Sequence, residues 1–331
     1  MKRHIAIVGA TGLVGATLLS LLEERRFPIK QLFLLASGQS AGKTLSFAGK
    51  EIAIDDLAHF DFAKTELAFF AVSNDLAATF VPKAISAGNV VIDKSSLYRN
   101  DPAVPLIVPE VNMAALKHYQ NQLLIANPNC NTIPIAVALK PIYDAVGITR
   151  MNVATYQSVS GSGKEAVSEL EKQTIQWVHG EPIKHQFYPQ QIAFNVLPHI
   201  DAFEDNGYTR EEMKVVNEMR KIFNDDTLQI NPTTVRVPVF VGHSAAVHIE
   251  TKNKISALDA IALLQQAPGV QVITGSLPYP TPFADAAGKD VVYVGRIRED
   301  ISYANGLNLW VVADNLRKGA ALNAIQIAEH L

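Results

Sequence analysis

The chain carries one cysteine, Cys130, in 331 residues. It sits in Asn127-Pro128-Asn129-Cys130-Asn131-Thr132, a polar stretch between an expected strand end and an expected helix start. A thiol there feels the positive end of the helix dipole, which lowers its pKa and raises the thiolate fraction. The commonest role of a lone cysteine is that of a small buried hydrophobe, but Asn-rich flanks do not make an apolar face. A thiolate that attacks a carbonyl also needs a proton-transfer partner and anion binders. Gly242-His243-Ser244 offers the first, since the glycine implies a bend that presents the imidazole at a strand end. With nine histidines in the chain, spacing alone does not single out His243.

A second motif lies at the start. Gly9-Ala10-Thr11-Gly12-Leu13-Val14-Gly15 follows an apolar run and opens a helical pattern. In that context backbone N–H groups and the helix N-terminus can face a dinucleotide pyrophosphate. The spacing is G-x-x-G-x-x-G and not G-x-G-x-x-G, so a tight turn without a ligand is the competing reading. The second strand should end about 20 residues on, where NAD enzymes place a carboxylate for the ribose 2′-hydroxyl. Ser37 stands there, with Lys43 nearby, which favours NADP over NAD.

These residues need a scaffold. Strands are expected at 4–8, 31–36, 67–71, 90–92 and 122–126, with helices at 14–24 and 76–87, and 102–109 as an extended connection. Strands alternating with helices predict βαβ units and a Rossmann-type, doubly wound parallel α/β sheet. After Cys130 the pattern changes. A helix over 132–145 precedes long strands at 151–159, 234–240, 245–251, 291–300 and 307–312, with helices around 163–177 and 211–223. Long strands with fewer helices predict an α+β domain with a mixed or antiparallel sheet. The boundary falls at 129/130, giving domains 1–129 and 130–312. A last helix over 317–330, within a segment 313–331, should pack back on the first domain through its small residues.

Composition narrows the classes. The chain is 48% hydrophobic and 18% charged, with net charge −3 and no Lys/Arg cluster that would mark a nucleic-acid or anionic-membrane surface. No apolar run nears the roughly 20 residues of a membrane span, and the basic start at Lys2-Arg3 lacks a signal-peptide pattern. A single cysteine excludes an internal disulfide and a cysteine-rich metal site, and it fits a reducing cytoplasm. No metal site, nucleic-acid partner or membrane partner is expected.

Together the motifs resemble those of bacterial aspartate-semialdehyde dehydrogenases over nearly the whole length. They include the glycine turn, Leu35-Ala36-Ser37 with Ser40-Ala41-Gly42, Asp93-Lys94-Ser95-Ser96 leading to Arg99, and Asn127-Pro128-Asn129-Cys130. They continue through Tyr156-Gln157-Ser158-Val159-Ser160-Gly161-Ser162-Gly163, Glu211-Glu212-Met213-Lys214, Arg236-Val237-Pro238-Val239, Gly242-His243-Ser244 and Ala313-Asp314-Asn315-Leu316. The resemblance implies NADPH-dependent conversion of L-aspartyl 4-phosphate to aspartate 4-semialdehyde and phosphate, in lysine, threonine, methionine and diaminopimelate biosynthesis. It makes Cys130 the nucleophile of an acyl-thioester, His243 the acid/base residue and Gln157 a residue that orients substrate. Arg236 and Glu211 take the substrate carboxylate and amino group, and Arg99 and Lys214 take phosphate. Thr11, Gly12, Leu13, Val14, Ser37, Gln39, Ser160, Gly161, Ser162, Gly163 and Asn315 fall on cofactor positions. Gln39 replaces an arginine that grips the 2′-phosphate in the family, leaving Lys43 as counter-charge. A homodimer through the second domain is also implied. The rivals are another acyl-phosphate reductase, such as N-acetyl-glutamyl-phosphate reductase or a glyceraldehyde-phosphate dehydrogenase, and a non-catalytic paralogue. The first have a different cysteine context, and the last would have no reason to keep Cys130, Gln157, Arg236 and His243.

Overall fold

The computed structural model describes residues 2–331. The chain forms two compact units, one running to Asn129 and including Ala320–Leu331, the other Cys130–Gly319.

In chain order the first unit holds β1 (Arg3–Val8), α1 (Leu13–Glu24), β2 (Ile29–Ala36), β3 (Thr44–Phe47), β4 (Lys50–Asp56), β5 (Leu67–Phe70), α2 (Asn74–Ser86), β6 (Val90–Asp93), α3 (Pro109–Asn112) and β7 (Leu124–Ala126). One sheet of order β3-β4-β2-β1-β5-β6-β7 contains them all. Every pair is parallel except the β3–β4 hairpin. Parallel strands are covered on both faces, so they read as unbroken apolar runs. That is the case for Ile5–Val8 and for all of β5, Leu67-Ala68-Phe69-Phe70, which are buried throughout. The order reverses between β1 and β5, which opens a crevice at their carboxyl ends. The hairpin was not anticipated from sequence. Its strands are largely exposed, with β3 at the sheet edge, so their apolar pattern is weak.

The second unit holds α4 (Thr132–Val146), β8 (Ile148–Gln157), α5 (Lys164–Val178), α6 (Arg210–Phe223), β9 (Gln229–Arg236), β10 (His243–Thr251), α7 (Ala257–Gln265), β11 (Val270–Val272), β12 (Val292–Glu299) and β13 (Gly306–Ala313). Its mixed sheet has the order β11-β12-β13-β10-β8-β9. Only β8–β9 and β11–β12 run parallel. Alternate residues Met151, Val153, Thr155 and Gln157 on β8, and Ala245, Val247 and Ile249 on β10, are buried. The intervening Asn152, Ala154, Tyr156, His248 and Trp310 line the opposite, more open face. Helix α6 starts with a capping box: Thr209 Oγ1 accepts from Glu212 N, and Glu212 Oε2 accepts from Thr209 N.

Two sequence expectations need correction here. The strand placed at 234–240 is β9, Gln229–Arg236, and it ends at Arg236 because Pro238 and the following turn leave the sheet. Residues 317–330 are not one α-helix: a π turn, Arg317–Ala321, precedes α8 (Leu322–Ala328). The return to the first unit comes at Ala320, later than residue 313, and Ile325 and Ile327 join Leu18 and Leu22 in its core. α7 and β11 were also missed. Among the described residues no helix is long and apolar enough to cross a membrane.

Candidate active site

In the second unit Cys130 stands just before α4, whose N-terminal residue Asn131 places no side-chain cap on the first turn. Its sulfur lies 3.3 Å from His243 Nε2. Gly242 supplies the bend with φ +94°, and a Cβ there would press 2.9 Å from Pro282. His243 is therefore the first residue of β10 and is almost fully buried.

The other ring nitrogen is equally fixed. His243 Nδ1 accepts from the backbone N–H of Ser158 at 3.0 Å, and the Ser158 hydroxyl lies at 3.0 Å. Ser158 Oγ also meets Ser160 Oγ and donates to Asn315 Oδ1 at 3.1 Å each. Asn315 Oδ1 further accepts from Gly242 N at 2.8 Å, while its Nδ2 donates to Ser160 Oγ at 3.0 Å. Burial first, and then the Arg236 cation, push the imidazole pKa down to about 3 against an opposing pull from Glu211.

Arg236, at the end of β9, is buried, and its Nη1 donates to Ser158 O at 2.7 Å. Its Nε meets no acceptor among the described residues, so one edge of a desolvated guanidinium is available to an anion. Gly161 allows this closeness, because a Cβ there would come within 3.2 Å of both Arg236 Nη1 and the His243 ring.

Glu211 ties the remaining groups. Its Oε1 accepts from Gln157 Nε2 and from Asn131 Nδ2, each at 3.1 Å. Its Oε2 accepts from Lys214 Nζ at 3.2 Å, and Lys214 also donates to Asp201 at 2.7 Å. Burial alone would lower the Lys214 pKa, but Glu211 and Asp201 outweigh it and hold the ammonium above its usual range. Gln157 is buried with both ends engaged, since its Oε1 accepts from Thr155 Oγ1. Cys130, His243, Gln157, Glu211, Lys214 and Arg236 thus occupy one cluster in one unit.

In the first unit the glycine turn joins β1 to α1. A Cβ on Gly9 would lie 2.4 Å from Ala71 O, and one on Gly15 only 2.2 Å from Gly9 O, so both glycines are required by packing. Gly12 differs: it precedes α1 with no side-chain cap, and a Cβ there would meet only Gly9 O at 3.4 Å. Thr11, Gly12, Leu13 and Val14 therefore form an open cradle at a helix N-terminus, which fits a dinucleotide phosphate. At the adjoining edge the reading of Ser37 needs amendment. A carboxylate does reach this corner, from the neighbouring strand: Asp56 Oδ2 lies 3.3 Å from where a Gly38 Cβ would sit. Asp56 is itself held by Ala58 N and by His59. Arg99 belongs to this unit too, buried, with Nη2 donating to Lys94 O at 2.6 Å.

Comparison with known proteins matches this arrangement. The family model for the semialdehyde dehydrogenase NAD binding domain matches residues 4–119, and that for the semialdehyde dehydrogenase dimerisation domain matches 139–318. An aspartate-semialdehyde dehydrogenase from Legionella pneumophila is 58% identical over all of this chain and 96% of its own length. The chain belongs to the aspartate-semialdehyde dehydrogenase family. A relative from Aquifex aeolicus (strain VF5) is 50% identical over all of this chain and 98% of its own. The crystal structure of aspartate semialdehyde dehydrogenase II from Vibrio cholerae, complexed with ASA, superposes with a TM-score of 0.98. It is 53% identical and covers 99% of this chain and 98% of that one.

Within the family frame, the structure adds residues that sequence reading passed over. Ser158 contacts His243 and Arg236 mainly through its backbone, which leaves no side-chain signature. Asn131 stood in the sequence only as part of the polar stretch around Cys130, yet it donates to Glu211. Ser160 and Asn315, placed on cofactor positions by resemblance, have their polar atoms engaged around His243. Glu211 and Lys214 do form the i,i+3 pair open to a bland surface reading, but Glu211 is only 5% exposed.

Proposed function

We propose that the chain is an aspartate-semialdehyde dehydrogenase that makes aspartate 4-semialdehyde from L-aspartyl 4-phosphate through a thioester on Cys130. The observation that carries this reading is the 3.3 Å approach of Cys130 to His243 beside the buried guanidinium of Arg236. A thiolate, a hydrogen-bonding imidazole and a desolvated cation are what acyl transfer from a carboxylate-bearing substrate requires.

The chain's own residues divide the work. Cys130 displaces phosphate from the acyl carbon, forming the C–S bond as the C–O bond breaks. Arg236 binds the α-carboxylate, through a guanidinium that Ser158 O holds in place. Glu211 faces the α-ammonium group, and Gln157, tethered to Glu211, orients the acyl chain. Lys214 and Arg99 neutralise the departing phosphate. A nicotinamide, when bound, would supply the hydride that reduces the thioester carbon. Thr11, Gly12, Leu13 and Val14 would hold its pyrophosphate, with Ser37 and Gln39 at the adenosine end. Ser160, Gly161, Ser162, Gly163 and Asn315 are the second unit's contribution.

NADP is the cofactor we infer, with Lys43 as counter-charge to the 2′-phosphate, and Asp56 as the group that would weaken that preference. The ligand of the Vibrio cholerae relative, ASA, supports the substrate class. A homodimer is inferred through the open face of the second sheet, where the rings of Tyr156 and Trp310 meet in a tilted contact, 5.5 Å between centroids. A free thiol nucleophile suits a reducing cytoplasm.

The test is phosphate-dependent reduction of NADP by aspartate semialdehyde, run beside NAD and beside N-acetyl-glutamate semialdehyde. Turnover with the first aldehyde, abolished in Cys130→Ala, supports the reading. Equal turnover in that variant, or turnover only with the acetylated aldehyde, refutes it.

A further inference from the structure

Arg236 Nε is not the only buried donor of the second unit without a hydrogen-bond partner among the described residues. The phenol oxygen of Tyr188 has none either, although Tyr188 is only 8% exposed. A buried hydroxyl left unpaired is costly, and native folds keep few of them, so this one calls for a partner that arrives from outside.

The position of the ring is closely specified. Glu169, buried on α5, accepts from three successive backbone N–H groups, those of Gln186 at 2.7 Å, Phe187 at 2.6 Å and Tyr188 at 3.2 Å. The ring itself belongs to an apolar cluster with Val159 and Leu197. Both of those residues flank Arg236. Leu197 exchanges two backbone hydrogen bonds with it, at 2.9 and 2.8 Å, and Val159 follows Ser158, whose carbonyl takes Arg236 Nη1. The apolar body of the tyrosine is therefore satisfied by packing, and only its polar tip is not. Burial keeps the proton on the phenol, against the pull of the Arg236 cation and then of the Ser162 hydroxyl. Ser162 stands nearby without reaching hydrogen-bonding geometry. What remains is a neutral O–H donor beside a guanidinium that can only donate.

We propose that Tyr188 is a second anchor for the substrate α-carboxylate, its hydroxyl donating to one carboxylate oxygen while the Arg236 guanidinium takes the other. An acceptor-only anion that bridges the two donors satisfies both at once. An aldehyde without that carboxylate leaves both unpaired, so the pair also selects against such substrates. This deepens the function proposed above and rests on it for the identity of the carboxylate.

Tyr188→Phe keeps the ring and its packing and removes only the hydroxyl. It is made in a Cys130→Ser background, where no thioester forms, and both proteins are titrated by calorimetry with three ligands. These are aspartate 4-semialdehyde, 3-aminopropanal, which is the same aldehyde without its α-carboxylate, and inorganic phosphate. Binding of aspartate semialdehyde should weaken about ten-fold or more, while the other two ligands bind alike in both proteins. With Cys130 restored, KM for the aldehyde should rise by a similar factor and kcat should change little. The urea midpoint should hold or rise, because a hydroxyl without a partner in the free protein loses none. Unchanged binding of aspartate semialdehyde, equal weakening of all three ligands, or weakening confined to phosphate overturns the proposal. A fall in the urea midpoint also overturns it, since the hydroxyl would then be bonded within the protein. If aspartate semialdehyde neither binds the Cys130→Ser protein nor is turned over by the unsubstituted one, the function proposed above fails, and this inference with it.

Discussion

A buried neutral imidazole must make the protein sensitive to acid in a calculable way. In the unfolded chain His243 should titrate near its ordinary value of about 6.5, whereas burial and Arg236 hold it at about 3 in the fold. Between those values the unfolded chain binds a proton that the folded one refuses, so stability is fully present above about 6.5 and is lost as pH falls. Integrating that difference gives about 2 kcal/mol lost between pH 8 and pH 5 from this one residue. The carboxylates and the other eight histidines are common to wild type and variant, so the double difference isolates residue 243. The perturbation is His243→Gln, which removes the titrating group. Both tryptophans, Trp177 and Trp310, lie in the second unit, so urea unfolding followed by their fluorescence reports on the unit that contains the site. The wild type should lose about 2 kcal/mol more than the variant between the two pH values. A double difference below about 0.5 kcal/mol would show that the folded imidazole titrates near its unfolded value, and the reasoning from burial would fail.

Three further outcomes follow from other contacts. Glu211→Ala removes the buried acceptor shared by the amides of Gln157 and Asn131 and should destabilise the second unit by about 1–3 kcal/mol, while kcat/KM for aspartate semialdehyde falls; unchanged unfolding by urea would show that the knot carries no energy. Gly15→Ala forces a methyl group to within 2.2 Å of a backbone oxygen, so the first unit should lose roughly 3 kcal/mol or more, read as an earlier thermal transition by circular dichroism. Asp56→Asn removes a negative charge beside the Ser37–Gly38 turn and should tighten NADPH binding severalfold with NADH little changed, in a fluorescence titration; equal shifts for both would place the carboxylate away from the 2′ position.

Much of this was legible before any coordinates. β1 and β5 are continuous apolar runs, Gly9 and Gly15 mark a turn where two backbones meet, and Cys130 sits in a polar stretch ahead of a helix. The family resemblance then pointed to His243, Arg236, Gln157, Glu211 and Lys214 together, across more than eighty residues of chain. What stayed hidden has a common cause. Ser158 works through its N–H and C=O, which every residue possesses, so nothing in its side chain announces the role. Asp56 reaches the Ser37–Gly38 turn from β4, a strand second from the sheet edge whose half-exposed pattern leaves little periodic signal. The strand at Gln229–Arg236 was misplaced because the apolar run beyond Arg236 looks extended, although Pro238 and Gly242 turn it out of the sheet.

The proposed function routes all of the chemistry through one covalent bond to sulfur, and that bond can be weighed. The protein is incubated with aspartate semialdehyde and oxidised nucleotide without phosphate, quenched in acid and analysed by intact and peptide mass spectrometry. An aspartyl adduct on the peptide containing Cys130, released by phosphate and absent in Cys130→Ser, is the predicted result. Turnover with no adduct on that peptide, or an adduct that survives the serine substitution, would contradict the account.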